Sequence, residues 1–431
     1  MEHSNKSHLL DRDELVRSLV SGERRMHELP AVIAPEEAAA VRRQALSEMT
    51  GASLDHLGSY SLDARKASHR HCENFIGAAQ VPVGIAGPIP VNGNYANGEF
   101  YLPLATTEAA LIASVNRGCA ALRRSGGATV FVEDVGMTRG PVFRTSGIIE
   151  SRALVQWVEV NVTRFEELTA STSRYLRLRE VSSTIMGATV FLRFRFACGD
   201  AMGMNMTTFA VDRIVREIIE PETGVACVAI SGNYCVDKKP SALNFVLGRG
   251  KRIHAEVTIA ADVLRKTLKT TAAVLAEVQY RKNLLGSIAA GAMGFNAHYA
   301  NILAAFFIAT GQDVAQVVEG SLGVTCVEAR DNGAIYASVY LPDVPLAALG
   351  GGTGLETQRE ALALMGITPD GAEVGAAVMR LAELVGAAVL AGEVSLLAAL
   401  SSNELASAHE RLARGTTALT RNADFDCKKP R

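Results

Sequence analysis

Residues 174–198 have the sequence RYLRLREVSSTIMGATVFLRFRFAC, and this stretch predicts two neighbouring β-strands. In the second strand, Leu192, Phe194 and Phe196 alternate with arginines. Because successive side chains of a strand point to opposite faces, the alternation places the aliphatic and aromatic groups on one face. The segments that flank these two strands predict the other elements of the fold.

The flanking segments predict the other elements of a small unit. Upstream, PVFRTSG (residues 141–147) predicts a strand and residues 149–168 predict a helix. Downstream, residues 204–220 predict a helix that stops at Pro221, and VACVAIS (residues 225–231) predicts a last strand. The resulting order, β-α-β-β-α-β, is the split βαβ arrangement of ferredoxin-like domains. It predicts an α+β fold with this unit inserted into a larger domain.

The other segments predict mostly helices and divide the chain into further parts. These are a helical N-terminal domain (1–76), a helix-rich large domain (77–139 and 243–415), the inserted domain (140–231), a connecting loop (232–242) and a C-terminal tail (416–431). Within the large domain, residues 81–94 predict turns and short strands. Thr106 or Thr107 is expected to cap a helix running to about Arg124. After Lys251 the pattern is mostly helical, interrupted at residues 338–354 (SVYLPDVPLAALGGGTG) by a strand-like run and a Gly turn.

The composition excludes several classes of protein. The 431 residues include 43 Lys and Arg against 45 Asp and Glu, a formal charge of −2. This balance counts against nucleic acid or an anionic membrane as the main partner. The apolar stretches 283–310 and 381–400 are interrupted by polar residues and predict buried helices, not membrane spans. Seven scattered cysteines without a C-x-x-C pair predict reduced thiols in a cytoplasmic protein and no metal site.

The motif richest in chemistry is SGNYCVDKKP, residues 231–240. Lys238 and Lys239 beside Asp237 can hold a carboxylate and an oxyanion together, as a cationic clamp does. A solvated turn with an ordinary ion pair is the alternative, and the segment taken alone favours that alternative.

Three other titratable residues each have two interpretations. Glu108, near the start of an apolar helix, is either a capping residue or a buried acid whose raised pKa makes it a proton donor; alone, capping is favoured. Asp313 is equally well explained as a helix N-cap or as a paired carboxylate. His409 lies on the last predicted helix, where a histidine is most often a bystander, although its pKa suits acid–base chemistry.

The sequence contains neither a G-x-G-x-x-G nor a Walker A motif, which argues against a standard Rossmann dinucleotide site. The remaining candidate is GDAMGMN, residues 199–205, between a predicted strand and a predicted helix. Its small residues let the backbone approach a pyrophosphate at the helix N-terminus. A tight strand-to-helix turn has the same character, so the motif alone leaves both readings open.

A series of short strings follows one order along residues 70–415. They are ENFIG (73–77), ATTE (105–108), NRGC (116–119), GMTRGP (136–141), STSR (171–174), GDAMGMNM (199–206), SGNYCVDKKP (231–240), NAH (296–298), GQD (311–313), GGGT (350–353) and AGEVS (391–395). In wording and order they resemble the 3-hydroxy-3-methylglutaryl-CoA (HMG-CoA) reductase family, and in particular the soluble catalytic portion of its class I branch. The resemblance implies a small helical N-terminal domain, a large domain and an inserted ferredoxin-like domain that binds the nicotinamide cofactor.

The resemblance also implies an activity. Family members reduce HMG-CoA to mevalonate and free CoA with NADPH in two steps, as homodimers or homotetramers whose active sites lie where subunits meet. A protein of the same fold that uses NADH and oxidises mevalonate is the alternative. A non-catalytic CoA-binding homologue is a third hypothesis, and the presence of all four catalytic positions argues against it.

The resemblance assigns a role to each of these four positions. Lys238 would stabilise the oxyanion that develops on the thioester and then on the aldehyde, and Glu108 would donate the proton. Asp313 would tune the network that joins Lys238 and Glu108, because coupled groups titrate as a unit. His409 would protonate the departing CoA thiolate.

The binding positions are likewise implied by the resemblance. Those for the HMG group are Arg139, Ser231, Asp237, Lys239, Lys282 and Asn301, with Lys282 a better match than Arg281. Those for CoA are Ser114, Asn116 and Arg117. Those for the nucleotide are Ser173, Arg174, Asp200, Ala201, Met202, Gly203, Met204 and Asn205. Arg174 would bind a 2′-phosphate, which favours NADPH over NADH.

Overall fold

A computed structural model gives the fold and describes residues 11–369 and 373–401. In these ranges the β-strands are Val83–Asn92, Asn97–Ala105, Ala128–Arg139, Val142–Arg144, Arg177–Met186, Thr189–Ala197, Ala226–Ala229, Arg249–Ile259, Val324–Ala329 and Ile335–Val344. The α-helices are Arg12–Val20, Pro35–Thr50, Ala64–Arg70, Leu111–Arg123, Ile148–Val160, Val162–Thr172, Met204–Ile214, Glu220–Thr223, Ala242–Leu247, Ala261–Val263, Ala272–Val278, Ser287–Ala290, Tyr299–Thr310, Val317–Gly320, Glu356–Leu364 and Ala376–Ser401. Val215–Ile219, Leu264–Leu268 and Gln279–Gly286 are π-helical, and Val314–Gln316 and Gly351–Gly354 are 3₁₀-helical.

The ferredoxin-like unit has the predicted order of elements. Its four strands lie side by side in the order Ala226–Ala229, Val142–Arg144, Thr189–Ala197, Arg177–Met186, and each neighbouring pair is antiparallel. This is the spatial order 4-1-3-2 that a split βαβ unit produces. The side chains of Leu192, Phe194 and Phe196 are completely buried in a hydrophobic cluster formed within this unit. The α+β fold class is therefore confirmed, whereas the exact domain boundaries stay a prediction.

Two predicted helices of this unit differ in detail. The expected helix over 149–168 is two helices that meet at Asn161. The expected stop at Pro221 is wrong, because helical structure continues to Thr223 and ends at Gly224, whose φ of +70° suits glycine. Pro221 follows the π-helical stretch Val215–Ile219 directly and lies in the first turn of the short helix Glu220–Thr223.

A second, larger group of strands adjoins the inserted unit. The strand Ala128–Arg139 connects the two: its residues 129–136 pair with Arg249–Ile259, and its last three pair with residues 194–196. Ile335–Val344 pairs with Arg249–Ile259 on one side and with Val324–Ala329 on the other. The strand Ile335–Val344 confirms the strand-like run predicted at the start of residues 338–354. The prediction of a mostly helical chain after Lys251 is otherwise wrong in part, because Arg249–Ile259 and Val324–Ala329 were not predicted as strands.

The start of the large domain also departs from the prediction. Val83–Asn92 is one long strand with a register shift between Ala86 and Ile89, not a set of turns and short strands. The next helix begins at Leu111, without a side-chain cap, so neither Thr106 nor Thr107 starts it. Glu108 consequently lies in the turn before the helix, not on it.

The last helix, Ala376–Ser401, is long and apolar enough to cross a membrane by length and composition, but 83% of its most apolar window is buried inside the structure. Its two carboxylates are buried as well. Glu383 accepts the main-chain N–H groups of Asn94, Tyr95 and Ala96. The helix Ala376–Ser401 is therefore a core helix of the structure, as predicted. The cytoplasmic location of the protein stays a prediction.

Replacing Gly118 by Ala is expected to lower the free energy of unfolding by about 1–3 kcal/mol, the usual cost of overpacking. Gly118 lies where the helix Leu111–Arg123 crosses the last helix, and a Cβ atom would overlap the main-chain carbonyl of Ala391. Gly286→Ala is the matched control, because a Cβ there meets only an ordinary contact. Urea denaturation of both variants measures the difference, and equal unfolding midpoints would contradict the close crossing.

Candidate functional site

The loop that carries Lys238 has an unusual backbone. Asn233, Val236 and Lys238 all have positive φ angles, of 62°, 51° and 57°. Non-glycine residues, and β-branched ones above all, adopt this conformation only when the surroundings hold them there. Here the main-chain N–H of Gly232 donates to the Gly140 carbonyl at 2.7 Å, which ties the loop to the inserted unit. The loop is therefore held in its shape by contacts from outside.

Lys238 and Asp313 form an ion pair, with 2.8 Å between Nζ and Oδ2. The hydrogen bond to Asp313 is the main cause that raises the pKa of Lys238, and the charges of Asp237 and Glu319 add to it. Asp313 also caps the 3₁₀ turn Val314–Gln316, since its Oδ1 accepts the Ala315 N–H at 3.1 Å. Both interpretations of Asp313 thus hold at once, and Lys238 is a fully charged donor near neutral pH.

Glu108 pairs with Asn301 instead. The Nδ2 group of Asn301 donates to both carboxylate oxygens of Glu108, at 3.1 and 2.9 Å. The Glu108 side chain is exposed in the single chain, which corrects the reading of a buried acid. Its own main-chain N–H donates to Thr106 Oγ1 at 2.9 Å.

The two pairs lie at opposite ends of the helix Tyr299–Thr310. Asn301 is in its first turn, whereas Asp313 follows the left-handed residue Gly311 after its last turn. Thr310 lies nine residue steps after Asn301, which corresponds to about 14 Å along the helix axis. An open cavity of about 580 Å³, lined by Pro240 and Asn301 among others, lies between the Lys238 loop and the start of this helix.

The predicted HMG positions are spread around the loop. Arg139 Nη2 donates to Thr208 Oγ1 at 2.6 Å, and its buried Nε has no partner among the described residues. Asp237 Oδ1 accepts from Arg249 Nη2 at 2.7 Å and from Gln316 Nε2 at 3.1 Å. Burial raises the pKa of Asp237, but the Arg249 charge and these hydrogen bonds outweigh it, so the pKa is lowered.

The remaining HMG positions have few fixed contacts. Ser231 Oγ lies 3.6 Å from Cys235 Sγ, and the exposed Lys239 reaches only the Asp237 carbonyl, at 3.5 Å. Partial desolvation lowers the pKa of Lys282, whose Nζ lies 3.2 Å from Asn283 Oδ1. Arg281 is instead paired with Glu277 on the helix surface. The choice of Lys282 over Arg281 as a position for the HMG group stays a prediction.

The predicted CoA positions make structural contacts. Arg117 donates through Nε to Ser395 Oγ at 3.0 Å and through Nη2 to the Ser395 carbonyl at 2.7 Å. Ser114 Oγ lies 3.0 Å from the same hydroxyl, and Asn116 Oδ1 accepts the Gly87 N–H at 3.0 Å. These bonds fasten the helix Leu111–Arg123 to its neighbours.

The GDAMGMN segment forms a strand-to-helix turn and one wall of a cavity. The cavity has a volume of about 490 Å³ and is lined by residues 201–206, residues 311–314 and the glycines 350–352. Asp313, the partner of Lys238, belongs to this lining and so shares the cavity with the predicted nucleotide residues 201–205. Asp200 does not line it, because its carboxylate caps the last helix by accepting the N–H groups of Gly375 and Val378, at 2.9 and 3.0 Å.

A neighbouring cavity of about 530 Å³ contains Arg174 together with residues that sequence reasoning missed. Arg177, Arg179 and Lys251 line it, and the carboxylate among them is Asp134. Asp134 pairs with Arg179 at 2.8 Å and with Lys251 at 2.7 Å. Among the lining residues that the structure describes, positive charge is therefore in surplus, and the alternating arginines of RYLRLR were the signal that could have indicated it. Ser173 lies beside it and accepts the Tyr175 N–H at 3.2 Å.

A buried polar network beneath the Lys238 loop was also missed. Arg249, completely buried, donates to Glu319 Oε1 at 3.0 Å as well as to Asp237. Asp343 Oδ2 accepts from Asn244 Nδ2 at 2.7 Å. Burial raises the pKa of Glu319 to about 7 and that of Asp343 to about 8. No local motif announces these residues, because they belong to separate strands and helices.

The raised pKa of Asp343 leads to a prediction about stability. A carboxyl group that holds its proton more tightly when folded makes the protein less stable as pH rises from its unfolded pKa to its folded pKa. Between about pH 4 and pH 8 the free energy of unfolding should fall, and Asp343→Asn should lessen the slope by up to about 1.4 kcal/mol per pH unit. Thermal denaturation across this range, with the exposed Asp262→Asn as control, measures it. Parallel curves for wild type and Asp343→Asn would contradict the assignment.

His409 and the predicted helix that carries it lie outside the described residues. Within residues 11–369 and 373–401, no group of three His, Cys, Asp or Glu side chains could hold a metal ion.

Comparison with known proteins identifies the family. The sequence profile of the hydroxymethylglutaryl-coenzyme A reductases matches residues 38–414. The 3-hydroxy-3-methylglutaryl-coenzyme A reductase of Methanothermobacter thermautotrophicus is 48% identical over 402 residues, covering 93% of this chain and 100% of its own. That of Aeropyrum pernix is 50% identical over 405 residues, covering 94% of this chain and 96% of its own.

A solved structure shares the fold. The class II 3-hydroxy-3-methylglutaryl-CoA reductase of Streptococcus pneumoniae, bound to NADPH, superimposes with a TM-score of 0.61 over 90% of this chain and 97% of its own, at 19% identity. With the family profile and the archaeal relatives, these comparisons show that the chain belongs to the hydroxymethylglutaryl-coenzyme A reductase family.

Proposed function

We propose that this protein reduces HMG-CoA to mevalonate and free CoA with NADPH, in two successive reductions. The observation that carries the proposal is the Lys238–Asp313 pair at 2.8 Å, with Asp313 in the same cavity as residues 201–206 and 350–352. The archaeal relatives that share almost half of the sequence are named for this substrate. The place of the reaction in the mevalonate pathway of isoprenoid biosynthesis follows from the same relationship.

The chain's own residues divide the work. Lys238 stabilises the negative charge that develops on the thioester oxygen and later on the aldehyde oxygen, because a preformed cation costs no reorganisation during the reaction. Asp313 keeps the ammonium charged and aimed. Glu108, with Asn301 bound to its carboxylate, donates the proton, and His409 protonates the leaving CoA thiolate. Arg139, Lys239 and Lys282 surround the site with cations suited to the substrate's free carboxylate.

The cofactor fits the glycine- and methionine-lined cavity. Gly203, at φ +94°, and the glycines 350–352 leave main chain accessible at its wall. When bound, NADPH supplies the hydride for each reduction. The surplus positive charge at Arg174, Arg177 and Lys251 supports recognition of the 2′-phosphate, which NADH lacks.

We infer that the active site is completed by a second subunit. Within one chain, the Glu108–Asn301 pair and the Lys238–Asp313 pair lie at opposite ends of the helix Tyr299–Thr310. The proposed reaction, however, needs both pairs beside the same substrate carbonyl. A two-fold symmetric dimer can bring the Lys238 end of one chain to the Glu108 end of the other. The oligomer is therefore a homodimer or a homotetramer built from such dimers.

The activity is tested by following the oxidation of NADPH and of NADH, in parallel, by purified protein with HMG-CoA. We expect two NADPH molecules to be oxidised per HMG-CoA, with mevalonate and free CoA as products. A preference for NADH would overturn the reading of the arginine-rich cavity and favour a mevalonate-oxidising role. No turnover with either cofactor, by protein shown to be folded, would contradict the proposal.

The shared site makes a separate prediction. Glu108→Gln and Lys238→Ala should each be inactive alone, but chains co-expressed with two tags should form heterodimers with one intact site in two. Random pairing then restores about a quarter of wild-type activity, and purified heterodimers about half, because symmetry places both changes in one site. Heterodimers as inactive as the parents would show that one chain supplies both groups.

A further inference from the structure

The carboxylate of Glu319 lies directly beneath the Lys238 loop and is completely buried. Its Oε1 accepts the main-chain N–H of Lys238 at 3.0 Å and the guanidinium Nη1 of Arg249 at 3.0 Å. Glu319 belongs to the short helix Val317–Gly320, which packs beside the helix that carries Asn301. It is therefore a direct link from the protein core to the backbone of the proposed catalytic lysine.

The bond to Lys238 is placed where the loop needs support. Val236 and Lys238 both have left-handed φ angles, which are unfavourable for side chains other than glycine. A hydrogen bond that is available only in this conformation selects it over the extended alternatives. If the Lys238 backbone relaxed, its Nζ would leave the position 2.8 Å from Asp313.

The charges around Glu319 leave its ionisation finely balanced. Arg249 and Lys238 face it from a strand and from the loop, and Asp237 faces it with negative charge. Asp343, whose own pKa burial raises to about 8, adds negative charge only once it ionises. Gln316 is neutral, and the buried Arg193 adds positive charge on the far side of Asp343. Glu319 Oε2 has no hydrogen-bond partner in the described part of the chain, so a proton can reside there.

We propose that Glu319 is a positioning residue for Lys238: its ionised carboxylate holds the lysine backbone, and thereby the ammonium group, in the orientation that catalysis needs. This inference rests on the proposed function of Lys238. It also assigns a use to a buried carboxylate that the reaction itself does not require.

The test compares Glu319→Gln and Glu319→Leu with wild type. Gln keeps an oxygen acceptor without the charge, whereas Leu removes the acceptor. Glu383→Gln is the matched control, because Glu383 is also buried and also accepts main-chain N–H groups, but in the loop at 94–96. Thermal denaturation of each variant establishes that it is folded.

Hydrogen–deuterium exchange tests whether Glu319 holds the Lys238 loop in place, independently of enzyme activity. In Glu319→Leu, amides of residues 233–239 should exchange at least about 10-fold faster, because the Lys238 N–H loses its acceptor. The same segment should be unchanged in Glu383→Gln. Equal protection of this segment in wild type and Glu319→Leu would overturn the proposal, whatever the activity of the protein.

Steady-state kinetics read the consequence. Glu319→Gln should lower kcat about 10-fold and Glu319→Leu about 100-fold, with KM for HMG-CoA changed less than kcat, since a small misplacement of a catalytic group costs this much. The ratio of wild-type kcat to Glu319→Gln kcat should be largest at about pH 8.5 and approach one at about pH 6, because protonated Glu319 resembles glutamine. A ratio that does not change with pH would indicate only structural support and overturn the role of the charge. If the wild-type protein does not reduce HMG-CoA but residues 233–239 still exchange faster in Glu319→Leu, the proposed function is contradicted and the positioning role of Glu319 is not.

Discussion

Lys238→Ala is expected to lower kcat for HMG-CoA reduction by about 10³-fold, the upper end of what one preorganised oxyanion donor contributes. The ammonium group is held 2.8 Å from Asp313, and this bond raises its pKa, so it carries full charge throughout the physiological range. Because the charge on the substrate oxygen develops only during reaction, its loss should appear in kcat and much less in KM.

The structural cost of this substitution should be small. The Lys238 side chain is 42% exposed, and exposed ion pairs contribute at most about 1 kcal/mol to stability. Lys266→Ala is the control: it removes another exposed lysine, paired with Asp262 at 3.5 Å, and should leave both kcat and stability unchanged. Steady-state assays with HMG-CoA and NADPH, with denaturation curves for both variants, make the comparison. A Lys238→Ala protein with more than a tenth of wild-type kcat would mean that another group stabilises the oxyanion.

Arg249→Met is expected to lower the free energy of unfolding by about 3–5 kcal/mol, as is usual when one partner of a buried ion pair is removed. Arg249 is completely buried and donates to Asp237 at 2.7 Å, to Glu319 at 3.0 Å and to Thr138 Oγ1 at 3.2 Å. Methionine fills much of the volume but removes the positive charge that Asp237 and Glu319 share, and buried carboxylates without a counter-charge must either take up protons or open the structure.

Arg213→Met provides the matched comparison, because Arg213 makes an ion pair with Glu217 on an exposed helix surface. Its loss should change the free energy of unfolding by no more than about 0.5 kcal/mol. Urea denaturation at neutral pH measures both variants, and the Arg249→Met deficit should shrink on mild acidification, as Glu319, whose pKa is about 7, becomes protonated. Equal stabilities for the two variants would show that the buried network adds nothing to the fold.

The sequence predicted the inserted unit well, because its pattern is local. Alternation at Leu192, Phe194 and Phe196 determines which face of the strand is buried, and the four strands followed in the expected order. The strand Arg249–Ile259 was missed, although Ile253, Ala255, Val257 and Ile259 alternate with polar residues as a half-buried strand requires. The long apolar helices that follow made the whole region resemble a helical one.

For the site, too, the sequence predicted local features but not the contacts between residues far apart in the chain. The short motifs contained Lys238, Asp313 and Glu108, and the family resemblance added Asn301. Their pairing was not predicted, since each bond joins residues far apart in sequence. Asp200 and Arg117 have suitable chemistry and the expected positions, yet both are engaged in fastening helices together. Composition and spacing cannot distinguish a carboxylate that binds a ligand from one that caps a helix.

By itself, the sequence determined the family and the α+β class, and it predicted the residues proposed to carry the chemistry, because these depend on patterns within a few residues and on motifs of up to ten. The tertiary structure alone decided which charges meet. Three features depend on how strands and helices pack. They are the Lys238–Asp313 pair, the placement of Glu108 and Lys238 at opposite ends of the helix Tyr299–Thr310, and the buried group of Arg249, Glu319 and Asp343. The physical reason is that burial and electrostatic interaction act through distance in space, and the pKa values of these groups follow from that distance.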